Sequence, residues 1–178
     1  MLITKVLQIP TKLPKCRLPI NIVGHCNIYK EASAKHASLF AWITLSKYID
    51  LSKVKFSKNG KPYLEGNKKY FSLSHTHQMV AIAINNKPVG IDIEYILPNN
   101  ICSMLAFKLL NKKQLHSYFQ SKDRAIWFTK YWTQHEAYLK LTENTFNFKN
   151  LKTTIKAKCK TKQVKYQNRI LIVSVVTK

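Results

Sequence analysis

Three carboxylates in a chain poor in acid stand where a divalent cation could join them. Asp92 and Glu94 lie in Val89-Gly90-Ile91-Asp92-Ile93-Glu94, and Glu136 lies in Trp132-Thr133-Gln134-His135-Glu136-Ala137-Tyr138-Leu139-Lys140. The whole chain has eight acidic residues against thirty basic ones. In the first segment Val89, Ile91 and Ile93 alternate with Gly90, Asp92 and Glu94, which predicts a strand with one apolar face. Asp92 and Glu94 then point the same way, roughly 6.6 Å apart along the strand. Two anions on one face repel unless a cation sits between them. Magnesium suits the position, because it takes carboxylate, water and phosphate oxygens. The bland alternative is a solvated strand face. It loses ground here because acids are scarce elsewhere and Gly90 leaves room for close backbone approach.

The second segment predicts a helix over 122–141, with Ser121 as N-cap and Asp123 in the first turn. Glu136 and Lys140 are four residues apart and share a face. A Glu before a Lys at this spacing is also an ordinary helix-stabilising pair of about 0.2–0.5 kcal/mol. Alone, that explanation suffices. Beside Asp92 and Glu94, Glu136 becomes a third metal ligand and Lys140 a phosphate contact.

Gly90-Ile91-Asp92-Ile93-Glu94, followed about forty residues later by the Trp132–Lys140 segment, resembles the signature pair of the 4'-phosphopantetheinyl transferases. Gly60-Lys61-Pro62 resembles the G-K-P element of the surfactin-synthetase-activating branch, and Phe71-Ser72-Leu73-Ser74-His75 resembles its F-N-[LI]-S-H element. Four elements in the family's order are far more specific than any one of them.

The resemblance implies an α/β (α+β) fold of two similar halves in a pseudo-twofold arrangement. They are expected at 1–96 and 97–178, each a small sheet packed with helices, with the ligand cleft between them. It implies magnesium-dependent transfer of 4'-phosphopantetheine from coenzyme A to a serine of an acyl or peptidyl carrier protein, an acidic partner. Asp92, Glu94 and Glu136 match the magnesium ligands. Glu136 and Lys140 match the catalytic positions, and Lys35, Lys61, Pro62, Ser74, His75, His135 and Lys140 the coenzyme A contacts. Two positions depart from the pattern. His135 stands where relatives carry lysine, and Lys35 where they carry an arginine, whose forked geometry lysine lacks. Between Leu18 and Tyr29, where relatives often carry basic residues, only His25 is available.

Composition narrows the rivals. A chain of 178 residues is one domain or two small halves, and 46% hydrophobic residues suffice for a core. No apolar run approaches the roughly 18 residues of a membrane helix, and the start lacks the pattern of a signal peptide. Cys16, Cys26, Cys102 and Cys159 have no C-x-x-C spacing. The expectation is a monomeric cytoplasmic protein. The net charge of +22 would attract phosphate ligands, acidic carriers and nucleic acid at long range. Only Arg17, Arg124 and Arg169 are arginines, which argues against base-specific reading. The alternatives kept open are a basic nucleic-acid-binding protein and a non-catalytic relative that binds coenzyme A or a carrier. An A/T-rich genome is an equal explanation for the lysines.

Around the motifs, the pattern predicts a short strand and loops over 1–28, broken by Pro10, Pro14 and Pro19. A helix is expected from Glu31 to Tyr48. Strands are expected at Val54–Phe56 and Met79–Ile84, with a turn at Asn59-Gly60-Lys61-Pro62. Asn85-Asn86-Lys87-Pro88 reads as a hairpin turn into the Asp92 strand. One helix is expected from Ile101 to Phe119, and closing strands at 153–165 and 169–176. His75 and His77 form a weak H-x-H pair, of which His75 is the expected phosphate donor. Lys156, Lys158, Lys160 and Lys162 alternate, so a strand would present them on one face. That row reads first as protection of a sheet edge and second as a docking surface for an acidic partner.

Overall fold

The structure, a computed structural model, describes residues 1–66, 68–143 and 154–178. The chain divides into two compact units, Met1–Val89 and Gly90–Lys178. The described residues form a mixed α+β fold with three small sheets and five helices.

In the first unit, β1 (Ile3–Gln8), β5 (Met79–Asn85) and β4 (Tyr70–Thr76) make an antiparallel sheet in the order β1-β5-β4. The apolar run Met79-Val80-Ala81-Ile82-Ala83-Ile84 is buried throughout, as its central place requires. Helix α1 (Ile20–Cys26) and helix α2 (Ala32–Leu45) accompany this sheet, and α2 packs on β4 and β5. Trp42 anchors the core, edge-on to Phe56 and Phe71 at 6.1 and 5.8 Å between ring centroids. A small antiparallel ribbon joins β2 (Val54–Phe56) to β3 (Pro62–Leu64). Its turn is closed by Gly60 N–H donating to Ser57 C=O at 2.9 Å, with Gly60 at φ +77°, a conformation glycine adopts without steric cost.

In the second unit, β6 (Val89–Tyr95, its first residue belonging to the first unit), β8 (Arg169–Thr177) and β7 (Lys158–Tyr166) lie in the order β6-β8-β7. Strands β7 and β8 pair antiparallel from Lys158↔Thr177 to Tyr166↔Arg169. Helices α3 (Asn99–Leu109) and α4 (Lys112–Gln120) precede the long helix α5 (Arg124–Thr142), which packs on β8 and β7. Cys102, Leu109, Tyr118 and Phe128 are fully buried among these helices.

Several expectations need correction. Residues 20–26 form a helix, not loop. Pro19 sits at its N-cap, and burial of Ile22 and Cys26 outweighs the poor helix propensity of Ile, Val and Gly. The stretch 101–119 is two helices, divided at Asn111, whose side chain accepts from Gln114 N–H while Gln114 returns a bond to Asn111 N–H. Ser121 closes α4 instead of opening α5; Asp123 is the N-cap of α5, accepting from Ile126 N–H at 2.9 Å. Asn85–Pro88 is not a hairpin turn, since both edges of β5 are already occupied, by β1 and β4. The alternative of a solvated strand face, already disfavoured, does not hold at Asp92, which is only 4% exposed. Strand β7 begins at Lys158, so Lys156 lies outside it, and Thr153, the first residue of the expected strand, lies outside the described residues. Strand β7 is an edge on which Lys158, Lys160 and Lys162 are exposed.

Candidate active site

The face of β6 that carries Gly90 and Asp92 meets α5. A Cβ on Gly90 would collide with Ala137 C=O and lie 2.8 Å from Leu141 N, so only glycine lets the helix backbone approach this closely. That approach has a chemical consequence. Ala137 and Leu141 sit over Gly90, and the neighbouring ridge of α5, Glu136 and Lys140, is brought to Asp92. Lys140 Nζ donates to Asp92 Oδ1 at 2.8 Å, with the Lys140 side chain 32% exposed and that of Asp92 5%.

Glu136 is half-buried, and its carboxyl is pushed up to about 7. Burial is the main cause, the negative charge of Asp92 adds to it, and Lys140 opposes it. Glu136 therefore changes charge near neutral pH, the range in which a carboxylate serves best as a general base. Two carboxylates that repel, with a lysine beside them, form an oxygen donor set suited to magnesium, which typically uses one or two protein carboxylates and fills its shell with water and phosphate oxygens. The chemistry of the pair fits the ion. The full trio is not assembled: among the described residues no group of three His, Cys, Asp or Glu side chains is arranged to hold a metal. Glu94, two residues along β6, is half-buried.

His135 points away from solvent at 5% exposure. Its Nδ1 bonds Tyr131 C=O at 2.8 Å, and its ring lies 4.0 Å from that of Tyr131. It is thus a packed residue of α5, set at a different angle on the helix from Glu136.

The remaining sequence-derived positions lie in the first unit. Lys35 is in the first turn of α2, with its N–H on Glu31 C=O. Lys61 ends the Gly60 turn, its N–H donating to Ser57 Oγ at 3.2 Å, and Pro62 opens β3. Ser74 and His75 are neighbours on β4. Ser74 is buried, and the His75 ring stands edge-on to Tyr29 at 5.5 Å. His25 is stacked on Phe56 at 4.5 Å, and burial lowers its pKa, so it is a poor source of positive charge. Sequence reasoning passed over Thr133 and Ser174, two fully buried hydroxyls bonded to each other at 2.8 Å between α5 and β8. The available signal was a hydroxyl four residues before Ala137, on the ridge of α5 that faces the sheet.

The sequence pattern of the 4'-phosphopantetheinyl transferase superfamily matches residues 88–171, a span that holds Asp92, Glu94, Glu136 and Lys140 together. Residues 88–171 are thus similar to this superfamily. The chain is 34% identical over 104 residues to the 4'-phosphopantetheinyl transferase HetI of a Nostoc species, covering 53% of this chain and 44% of that protein. It is 31% identical over 123 residues to the 4'-phosphopantetheinyl transferase gsp of Aneurinibacillus migulanus, covering 63% and 50%. It is 33% identical over 85 residues to the 4'-phosphopantetheinyl transferase psf-1 of Bacillus pumilus, covering 47% and 36%. The chain thus spans half or less of the length of these curated relatives. The superfamily segment begins one residue before β6 and ends within β8, so it contains the whole Asp92–Lys140 site. No helix among the described residues is long and apolar enough to cross a membrane.

Proposed function

We propose that the protein is a magnesium-dependent phosphopantetheinyl transferase of the surfactin-synthetase-activating type. It would move 4'-phosphopantetheine from coenzyme A to a serine of an acidic acyl or peptidyl carrier protein. The observation that carries this reading is the Asp92–Lys140–Glu136 group, with Asp92 buried, where β6 meets α5 inside the segment similar to the superfamily. Asp92 and Glu136 would hold the magnesium ion, with Glu94 as the third carboxylate of the motif. Bound there, the ion supplies positive charge to the pyrophosphate oxygens.

The chain's own residues do the rest. Glu136, partly freed from the ion or acting through a water, would accept the proton of the incoming serine hydroxyl. The serine oxygen bonds to the phosphorus that carries the pantetheine arm. The bond from that phosphorus to the bridging oxygen breaks, and adenosine 3',5'-bisphosphate leaves with the electron pair. Lys140, partly exposed while held on Asp92, would contribute positive charge toward phosphate oxygens. Lys35, Lys61, Pro62, Ser74 and His75 are the proposed contacts to coenzyme A from the first unit, and His135 the proposed contact from α5. That the chain is built of two similar halves, 1–96 and 97–178, belongs to the same proposal.

Incubation with coenzyme A, magnesium and a panel of apo carrier proteins tests it. The expected result is a mass gain of one phosphopantetheine on a carrier serine. Binding of coenzyme A with no transfer to any carrier would point to a non-catalytic relative. Binding of neither would return attention to nucleic acid as the partner of the +22 charge.

A further inference from the structure

A chain of hydroxyls, two of them fully buried, runs from α5 out to the sheet and back. Gln134 Nε2 donates to Thr161 Oγ1 of β7 at 3.0 Å. Thr161 and Ser174 of β8 are bonded at 2.9 Å, Ser174 and Thr133 at 2.8 Å, and Thr133 Oγ1 donates to Lys130 C=O at 3.2 Å. One direction satisfies every member: Gln134 to Thr161 to Ser174 to Thr133 to the helix backbone. Thr133 and Ser174 then each accept once and donate once, and Thr161 has a further weak contact with Cys159 Sγ at 3.8 Å. Thr133 and Ser174 are completely buried, so a shift of α5 along β8 would leave hydroxyls stranded. One turn earlier, Thr129 Oγ1 accepts from Leu97 N–H at 3.0 Å, just past the end of β6, and donates to Ala125 C=O at 2.7 Å.

Thr129, Thr133, Ala137 and Leu141 follow one another at intervals of four and form one ridge of the helix. The first pair is fixed by hydroxyl bonds, and the second rests on Gly90. A fully satisfied hydroxyl chain rigidifies its surroundings and specifies one arrangement, because displacement leaves a buried polar group unpaired. Glu136 and Lys140 lie on the adjacent ridge, one turn beyond the chain.

We infer that Thr133, Ser174 and Thr161 are positioning residues that set the height of α5 on the sheet, and thereby place Lys140 on Asp92 and Glu136 beside it. The inference about the Asp92–Lys140 pair stands on geometry. Its consequence for transfer rests on the function proposed above.

The test is a double-mutant cycle of Thr133→Val with Lys140→Met, read from unfolding equilibria of the full chain in denaturant. Residues this far apart normally add to within about twofold in the equilibrium constant. The expected result is coupling: the effect of Lys140→Met shrinks by about threefold or more in the Thr133→Val background. Thr133→Ser, which keeps the hydroxyl, should restore the wild-type value. Where transfer is measurable, Thr133→Val should lower kcat about tenfold with little change in KM for coenzyme A, and Thr133→Ser should recover it. Additive stabilities would overturn the inference, as would wild-type kcat in Thr133→Val. If Thr133→Val does not fold, the same cycle is read with Thr161→Val, which breaks the chain from the strand side. Coupling in a protein that transfers nothing would sustain the positioning role and sink only the proposed reaction.

Discussion

Two lysine–carboxylate pairs make the instructive comparison. Lys55 of β2 and Glu65, just beyond β3, are 3.8 Å apart with side chains 52% and 66% exposed. Lys140 of α5 and Asp92 of β6 are 2.8 Å apart, and the carboxylate is only 5% exposed. The first pair joins neighbouring strands of a ribbon and could break into water at little cost. The second joins residues 48 positions apart, and water cannot readily take the place of the lysine. A carboxylate buried beside a second carboxylate is costly to keep. In a chain of eight acids this pair lies within the segment similar to the superfamily, which is why the proposed function is built on it.

Removing the acid from the buried pair should have the largest effect. If the proposed function holds, Asp92→Ala is expected to reduce transfer by about a hundredfold or more while the protein remains folded, because the proposed cation ligand and the anchor of Lys140 are lost together. Carrier modification followed by mass spectrometry, with circular dichroism as the folding control, reads this. Near-normal turnover at saturating magnesium would place the chemistry elsewhere. Next comes the close approach that creates the pair. Gly90→Ala drives a methyl group into the backbone of α5 and should destabilise by roughly 3 kcal/mol. A urea midpoint indistinguishable from wild type would mean that the helix can move without penalty. Lys140→Met should cost about 2 kcal/mol, less than a fully buried pair because this lysine is partly exposed.

The pH dependence sharpens the same contrast. With its folded pKa raised to about 7, Glu136 keeps in the folded protein a proton that the unfolded chain releases near 4.5. Its contribution to stability is therefore fully present below about pH 4.5 and is lost as pH rises through about 7, in the protein free of metal. Thermal or denaturant midpoints measured from pH 4.5 to 8 should show that decline, and Glu136→Gln should remove it. The same decline in both proteins would assign the slope to other groups. At the small end, Lys55→Met should change stability by less than about 0.5 kcal/mol. A larger loss would erase the distinction between the two pairs.

The local patterns were legible where a short stretch decides its own fate. Alternation located β6, the unbroken run located α5, Asn59-Gly60 marked the turn after β2, and Gly90 advertised a close approach; β3, which opens at Pro62 of the expected turn, was not foreseen. The four motifs, in order, led to the superfamily. Boundaries that depend on a cap were misplaced: Asn111 splits what reads as one helix, and Asp123, not Ser121, opens α5. Helix α1 was hidden because its residues favour other conformations, and only burial of Ile22 and Cys26 makes it helical.

What the sequence by itself determined was the set of chemical groups, their periodicity, and hence which of them share a face. What only the tertiary structure decided was how those groups interact. The acid face of β6 is covered by a helix instead of water, Lys140 is committed to Asp92, and the proton affinity of Glu136 is raised. His135 is turned into the packing against Tyr131. The physical reason is that burial and charge coupling depend on distance in space. The spacing of residues along β6 and α5 is written in the chain, but the height at which one lies across the other is set by Gly90 and by hydroxyls on strands far away in sequence.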